Sequence, residues 1–255
     1  MQRIWYREKN KGRTVNFKHM RCYRFISDFD LRQDSLSIFD KDILNQVRNV
    51  LRLKSGSQIV LADGRANEAL AEITEFGGDY LRVKLLQKEV NDKESGRKVI
   101  LYCSILKREN FELVVQKATE VGVAEIVPLV CERTVKTGFK KERLQKITKE
   151  AAEQSGRGIV PILYEPMDFG QAVKQAQQND RNFLFDLSGE KLLMSDINSL
   201  KQKTVGIFIG PEGGWSNFEM DLTRQREFKI VSLGKLTLRA ETAAVVATYL
   251  ACNNL

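Results

Sequence analysis

Around residue 91 the hydrophobic rhythm of the sequence changes, and only a fold of two parts accommodates both halves. Between about residues 21 and 90 apolar residues come in short runs separated by turn signals. QIVLADGRANEALAEI (58–73) sets Asp63-Gly64 between two apolar runs, a hairpin signature. ITEFGGDYLRVKLL (73–86) repeats the device with Gly77-Gly78-Asp79, after which Leu81, Val83 and Leu85 alternate. DKDILNQVRNVLRL (40–53) has the spacing of a short helix, with Arg48 and Arg52 four apart on one face. Residues 20–90 therefore read as a small β-barrel with one helix. NDKESGRK (91–98) is charged, has no apolar residue and reads as a linker.

Beyond it, runs of strand length alternate with stretches of helical period. VILYCSI (99–105) precedes ENFELVVQKATEVG (109–122), and AEIVPLV (124–130) precedes ERLQKITKEAAEQSG (142–156). The series continues through IVPILY, a helix near 168–178, NFLFDL (182–187), a helix near 190–202 and VGIFI (205–209). This is the α/β pattern of a parallel sheet covered on both faces, assigned to 99–255. There is no internal repeat and no low-complexity tract.

In such sheets ligands bind at the carboxyl ends of strands, where the topology switches. IGPEGGWSNFE (209–219) follows the VGIFI strand with three glycines and a proline within positions 210–214. Ser216 and Glu219 have capping-box spacing, so the corner opens onto a helix N-terminus whose free N–H groups can receive a polar or negative ligand group. The sequence lacks both G-x-x-x-x-G-K-[ST] and G-x-G-x-x-G, which disfavours a nucleoside triphosphate or a dinucleotide. On these residues alone the corner is either a tight turn or a ligand cradle.

Charge narrows the partner. The chain has 255 residues, 41 basic and 33 acidic, a net of +8, which favours a polyanion. Residues 1–19 hold six basic side chains against Glu8 alone, so +5 sits there and +3 remains elsewhere. That stretch reads as a basic, disordered extension before a natural start at Met20. The alternatives are an arm touching nucleic acid and an organelle-targeting segment. No apolar run approaches the roughly 20 residues that span a bilayer, so no membrane partner is expected. Cys22, Cys103, Cys131 and Cys252 lie far apart and His19 is the one histidine. Four reduced thiols in a cytoplasmic protein are expected, with no metal site and no disulfide framework. Acid–base chemistry then falls to carboxylates, lysines, arginines or water.

The C-terminal stretch KIVSLGKLTLRAETAAVVATYLACNNL (229–255) ends in a helix that is apolar almost all round, as an inserted or partner-packed helix requires. GPEGGWSNFE and LGKLTLRAETA together resemble the two signature loops of the RsmE family. These are SPOUT-class methyltransferases acting on N3 of a uridine in bacterial small-subunit (16S) ribosomal RNA. MRCYRFI (20–26), VRNVLRLKSGSQIVLADG (47–64), KRENFELVVQKATEVGVAEIVPLVCERTV (107–135) and EAAEQSGRGIVPIL (150–163) agree, so the likeness covers 20–255. The chain departs from the family where Lys235-Leu236 follow Leu-Gly and where Ala240 stands in place of Thr.

The resemblance implies a PUA-like RNA-binding β domain, a trefoil-knotted methyltransferase domain, S-adenosylmethionine in the knot, and a homodimer. It implies that Gly210, Gly213 and Gly214, with Ile209, Pro211 and Glu212, form one side of the cofactor site. Leu233, Gly234 and Leu238 form another, and Phe185 either lines the pocket or is ordinary core. Methylation at N3 needs the imide proton removed and the resulting anion stabilised. Arg239 is the candidate for the second task, against a structural pairing with Glu241; Glu212 is the candidate proton acceptor or orienting group, against a carboxylate bonding its own loop. RNA contacts are assigned to Arg24, Arg48 and Arg52 in the first part, and to Lys107, Arg133 and Arg157 in the second. The competing readings are a related SPOUT enzyme acting on transfer RNA or a ribose 2′-OH, and a non-catalytic RNA-binding assembly protein.

Overall fold

A computed structural model describes residues 2–6, 18–135, 138–193 and 203–253. The chain divides into two compact units, Met1–Glu94 with Ala152–Ile159, and Ser95–Ala151 with Val160–Leu255.

The first unit carries a six-stranded sheet: β1 (Gln2–Tyr6), β2 (Lys18–Ile26), β3 (Ser35–Ile38), β4 (Gln58–Ala62), β5 (Asn67–Phe76) and β6 (Leu81–Val90), in the order β1-β2-β4-β5-β6-β3. Among the described residues of this unit only β2 and β4 pair in parallel. Residues 2–6, expected within a disordered arm, pair antiparallel with β2. Net charge hid the β-prone Ile4-Trp5-Tyr6 run. Gly64 takes φ +73° in the β4–β5 turn, where the Asp63 carboxylate accepts from the Arg65 and Asn67 amides. Asp40 caps α1 (Lys41–Asn45), which runs on as a π-helical turn, Gln46–Val50. The predicted helix thus ends early, and Arg52 lies beyond it at φ +52°, off the face it was expected to share with Arg48. Phe25, Ile43, Val47, Ile59, Leu61, Ile73 and Val83 form the core.

The first unit also takes in 152–159, which the sequence pattern had assigned wholly to the second. Glu153 accepts from the Ile26 amide at 2.8 Å, Asn91 donates to the Gly156 carbonyl at 3.0 Å, and the Ala66 amide donates to the Gly158 carbonyl at 2.9 Å. The charged segment 91–98 is no free linker either, since Asn91 and Arg97 are both buried.

In the second unit every strand pairing is parallel. β7 (Lys98–Ser104), β8 (Glu125–Val130), β10 (Met167–Asp168), β11 (Arg181–Lys191), β12 (Thr204–Ile209) and β13 (Lys229–Ser232) run in the order β10-β8-β7-β12-β11-β13, with β9 (Ile162–Leu163) on β8. Alternate strand residues face two layers. Leu101, Cys103 and Ile207 pack with α2 (Arg108–Glu120), α3 (Lys141–Ser155) and the terminal α6 (Ala240–Cys252). Ile100, Tyr102 and Phe208 pack with α4 (Phe169–Ala176) and α5 (Asn217–Gln225), the Tyr102 and Phe208 rings stacked at 4.3 Å. Residues 190–191, expected in a helix, extend β11 instead, and residues 194–202 of that expected helix lie outside the described residues. Helix α6 buries Ala244, Ala247 and Ala251 but leaves Val246 and Tyr249 37% and 43% exposed, so its apolar surface is covered on one side only.

Candidate functional site

The middle of β11 (Phe185–Leu187), the carboxyl end of β12 and the segments that follow β12 and β13 line a cavity of about 680 Å³. That volume is of the order used for cofactors and drug-sized ligands. Phe185, Ile209, Pro211, Leu233 and Leu238 supply apolar walls, and Gly210, Glu212 and Gly214 supply the glycine lip. Gly213 and Gly234, expected here, are not among the lining residues. A Cβ on Gly213 would meet Arg133 at 3.4 Å, so Gly213 faces outward, and Gly234 serves the chain through its φ of +138°. Lys107, Asn110, Trp215, Ser232, Leu236 and Glu241 also line the cavity but were not assigned to it. All of these but Ser232 sit in family-like segments, whose motifs do not say which of their residues face the cavity; Ser232 joins them only through folding.

Identifiable contacts fix the course of the lip. At Gly210 the chain passes close to the Trp215 indole: a Cβ there would lie 3.0 Å from the ring, so a larger residue requires the indole to shift. Trp215 Nε1 donates to the Phe185 carbonyl at 3.0 Å, joining the loop to β11. Gly214 closes the turn at φ +70°, its amide donating to the Pro211 carbonyl at 2.9 Å. The expected capping box is present: the Glu219 amide donates to Ser216 Oγ at 3.3 Å, and the Ser216 amide to Glu219 Oε2 at 2.8 Å.

Arg239 occupies the N-cap of α6 with its side chain 85% exposed, and its nearest carboxylate is Glu241 at 3.9 Å. At that distance and exposure the pair contributes little, so the guanidinium is available to a ligand. Glu212 is exposed on the same lip. The nearby thiols are not nucleophiles: burial pushes Cys103 well above the ordinary thiol range and Cys131 up to about 12. Among the described residues no cluster of three or more His, Cys, Asp or Glu could hold a metal ion.

The six cations assigned to RNA fare unequally. Arg24 is buried and paired with Glu68 at 2.5 Å, and Arg157 is buried and paired with Glu94 at 2.6 Å. Arg48 donates to the Gly77, Gly78 and Tyr80 carbonyls and holds the β5–β6 turn. These three serve the fold, because each meets acceptors distant in sequence. Arg52, Lys107 and Arg133 are exposed, Lys107 on the cavity wall, and Arg133 Nη1 donates to the Gly213 carbonyl at 2.9 Å. A second cavity, about 690 Å³, lies in the first unit. Its lining sets Asp28, Asp30, Asp63, Glu68 and Glu89 against Arg32, Arg65 and Lys88, with Phe29, Leu31 and Val90 beside them, an acidic balance that does not suit a phosphate backbone.

Comparison with known proteins carries the reading further. Residues 93–251 match the family model described as an RNA methyltransferase domain, and residues 39–86 match the RNA methyltransferase PUA domain. Fold and site together thus define a two-domain protein of the RNA methyltransferase class. The chain is 32% identical over 208 residues to the ribosomal RNA small subunit methyltransferase E of Rickettsia conorii, covering 80% of this chain and 84% of the relative. It is also 32% identical to that of Mesomycoplasma hyopneumoniae, over 88% and 96%. A Legionella pneumophila methyltransferase solved with S-adenosylmethionine superposes with a TM-score of 0.82 at 30% identity, over 91% of this chain and 97% of that one. The chain belongs to the ribosomal RNA small subunit methyltransferase E family, RsmE.

Proposed function

We propose that the protein transfers a methyl group from S-adenosylmethionine to N3 of a uridine in small-subunit ribosomal RNA. The observation that carries this reading is the cavity at the sheet's carboxyl edge, which combines a glycine lip, apolar walls and an available arginine on its rim. The residues present suit that cofactor. Phe185, Ile209, Leu233 and Leu238 offer apolar surface to an adenine ring, and Gly210 and Gly214 allow backbone to approach the remainder closely. When bound, the cofactor supplies an electrophilic methyl group on a sulfonium. Glu212 accepts the N3 proton or orients the base, and Arg239 stabilises the uracil anion until N3 forms its bond to the methyl carbon and the carbon–sulfur bond breaks. Lys107 and Arg52 are the exposed cations that meet RNA phosphates, which add affinity without sequence information. The proposal extends to a trefoil knot around the cofactor, a cytoplasmic location and a homodimer. The one-sided cover of α6 supports the dimer.

Arg239→Ala should lower methyl transfer to small-subunit RNA by about 10²–10³-fold, the range for losing one preorganised charge stabiliser. Calorimetric affinity for S-adenosylmethionine should persist. Undiminished turnover would remove Arg239 from this role. Mass spectrometry of ribosomal RNA from a deletion strain should show one N3-methyluridine missing, and an unchanged modification set would overturn the reading.

A further inference from the structure

Beside the cavity, the turn that follows β8 makes two contacts that the proposed chemistry does not use, one with the cofactor loop and one with the first turn of α5 behind it. The turn is itself well anchored: the Cys131 amide donates to Thr134 Oγ1 at 2.8 Å, and Thr134 Oγ1 lies 2.9 Å from Ser104 Oγ at the end of β7. From this base Glu132 donates its amide to Glu219 Oε1 at 2.9 Å, and Arg133 donates Nη1 to the Gly213 carbonyl at 2.9 Å.

Both contacts are more specific than local packing requires. A glutamate that only completed a capping box needs one oxygen. Glu219 is buried and divides its carboxylate, one oxygen for Ser216 and the other for Glu132, which lies 87 positions away in sequence. The Arg133 bond pins a particular peptide. The Gly213 carbonyl and the Gly214 amide belong to the same planar unit; the carbonyl accepts from Arg133 and the amide donates to Pro211. With both ends held the plane cannot rotate, and its neighbours Glu212 and Gly214 face the cavity. Without such a tie, a loop this rich in glycine has backbone freedom that a ligand must remove on binding.

We infer that Arg133 and Glu219 are positioning residues that strap the turn after β8 to the outer side of the cofactor loop and preset its shape before RNA arrives. The inference rests on the cofactor reading above. It assigns Arg133 a task different from the RNA contact expected from its charge, and the two tasks give different measurements.

The test is calorimetry of S-adenosylmethionine binding to the full chain without RNA, alongside thermal melting. Arg133→Ala should weaken binding about ten-fold, the size of one lost charge-assisted hydrogen bond that orders a loop, with the melting midpoint unmoved because the side chain is exposed. Arg133→Lys should recover most of the affinity, since one ammonium can still donate to the Gly213 carbonyl. Glu219→Gln should weaken binding similarly, because an amide accepts on one oxygen only and sets its NH₂ against a backbone N–H. If Glu219→Gln fails to fold, the Arg133 pair still decides the matter. Wild-type cofactor affinity in Arg133→Ala, with weaker RNA binding and a salt slope reduced by about one, would overturn the strap and make Arg133 a phosphate contact. A wild-type chain that binds no S-adenosylmethionine would overturn the cofactor reading and the strap together.

Discussion

Glu68 and Glu89 face each other across β5 and β6 with opposite titration behaviour. Burial pushes the Glu68 carboxyl up, but hydrogen bonds from Arg24 and Asn91 and the charges of Arg24 and Lys93 bring it below the ordinary range. Its stabilising contribution is present above the unfolded value near 4.3 and is lost as pH falls through the lower folded value. Glu89 is the reverse: the residue is exposed, but partial desolvation of the carboxyl, then its hydrogen bond and repulsion with Glu68, raise it. Ionising Glu89 therefore favours the unfolded chain. That cost is absent below about pH 4 and complete once pH exceeds its raised folded value. Glu89→Gln should stabilise the protein at pH 7 by about 0.2–1 kcal/mol, the scale of a like-charge cross-strand pair, and the gain should fade toward pH 4. Urea midpoints at the two pH values check it; a variant no more stable than wild type at pH 7 would refute the pairing. The same pair shows what a sequence conceals. Arg24 and Arg157 read as RNA contacts because their acceptors, Glu68 and Glu94, lie 44 and 63 positions away, and charge alone does not distinguish a paired cation from a free one.

At the scale of elements, helix α6 depends on residues from the segment expected to be a linker. Its last turn leaves carbonyls without intrahelical donors. Ser95 Oγ donates to the Cys252 carbonyl at 2.8 Å and Arg97 Nη1 to the Ala251 carbonyl at 3.1 Å. Arg97 also places a buried positive charge at the negative end of the helix dipole. Arg97→Ala should cost about 2 kcal/mol in urea unfolding, and hydrogen exchange should quicken first in the last turn of α6. A variant as stable as wild type would show that the cap contributes nothing. The strands of the parallel sheet were legible because runs such as Val205–Ile209, buried on both faces, have no helical reading once glycines bound them. Helix N-termini were legible where a side chain does the capping, as at Ser216. Where geometry comes from the backbone the sequence was silent: the π-helical turn at Gln46–Val50 and the positive φ of Arg52 carry no residue signature, and β11 runs past Asp186 through residues that propensity assigns to a helix or turn. For the site, the glycine lip was legible, but the outward-facing Gly213 shows that glycine content marks a loop without saying which glycine meets the ligand.

At the scale of the whole molecule, each unit closes its own core. Ile59, Leu61 and Ile73 belong to one, Leu101, Ile126 and Phe183 to the other, and every residue lining the proposed cofactor cavity comes from the second. A ligand that binds only the native state stabilises whatever unfolds together with its site, by about 2.7 kcal/mol when its concentration is 100 times its dissociation constant. If the units open separately, S-adenosylmethionine at that level should slow exchange of the most protected amides of β7 and β12 by about 100-fold. Amides of β4 and β5 should be left as they were. Hydrogen exchange read by mass spectrometry resolves these strands in one experiment. Slowing of equal size in both sheets would mean that the two cores unfold as one cooperative block, and that the cofactor's binding energy also stabilises the PUA domain.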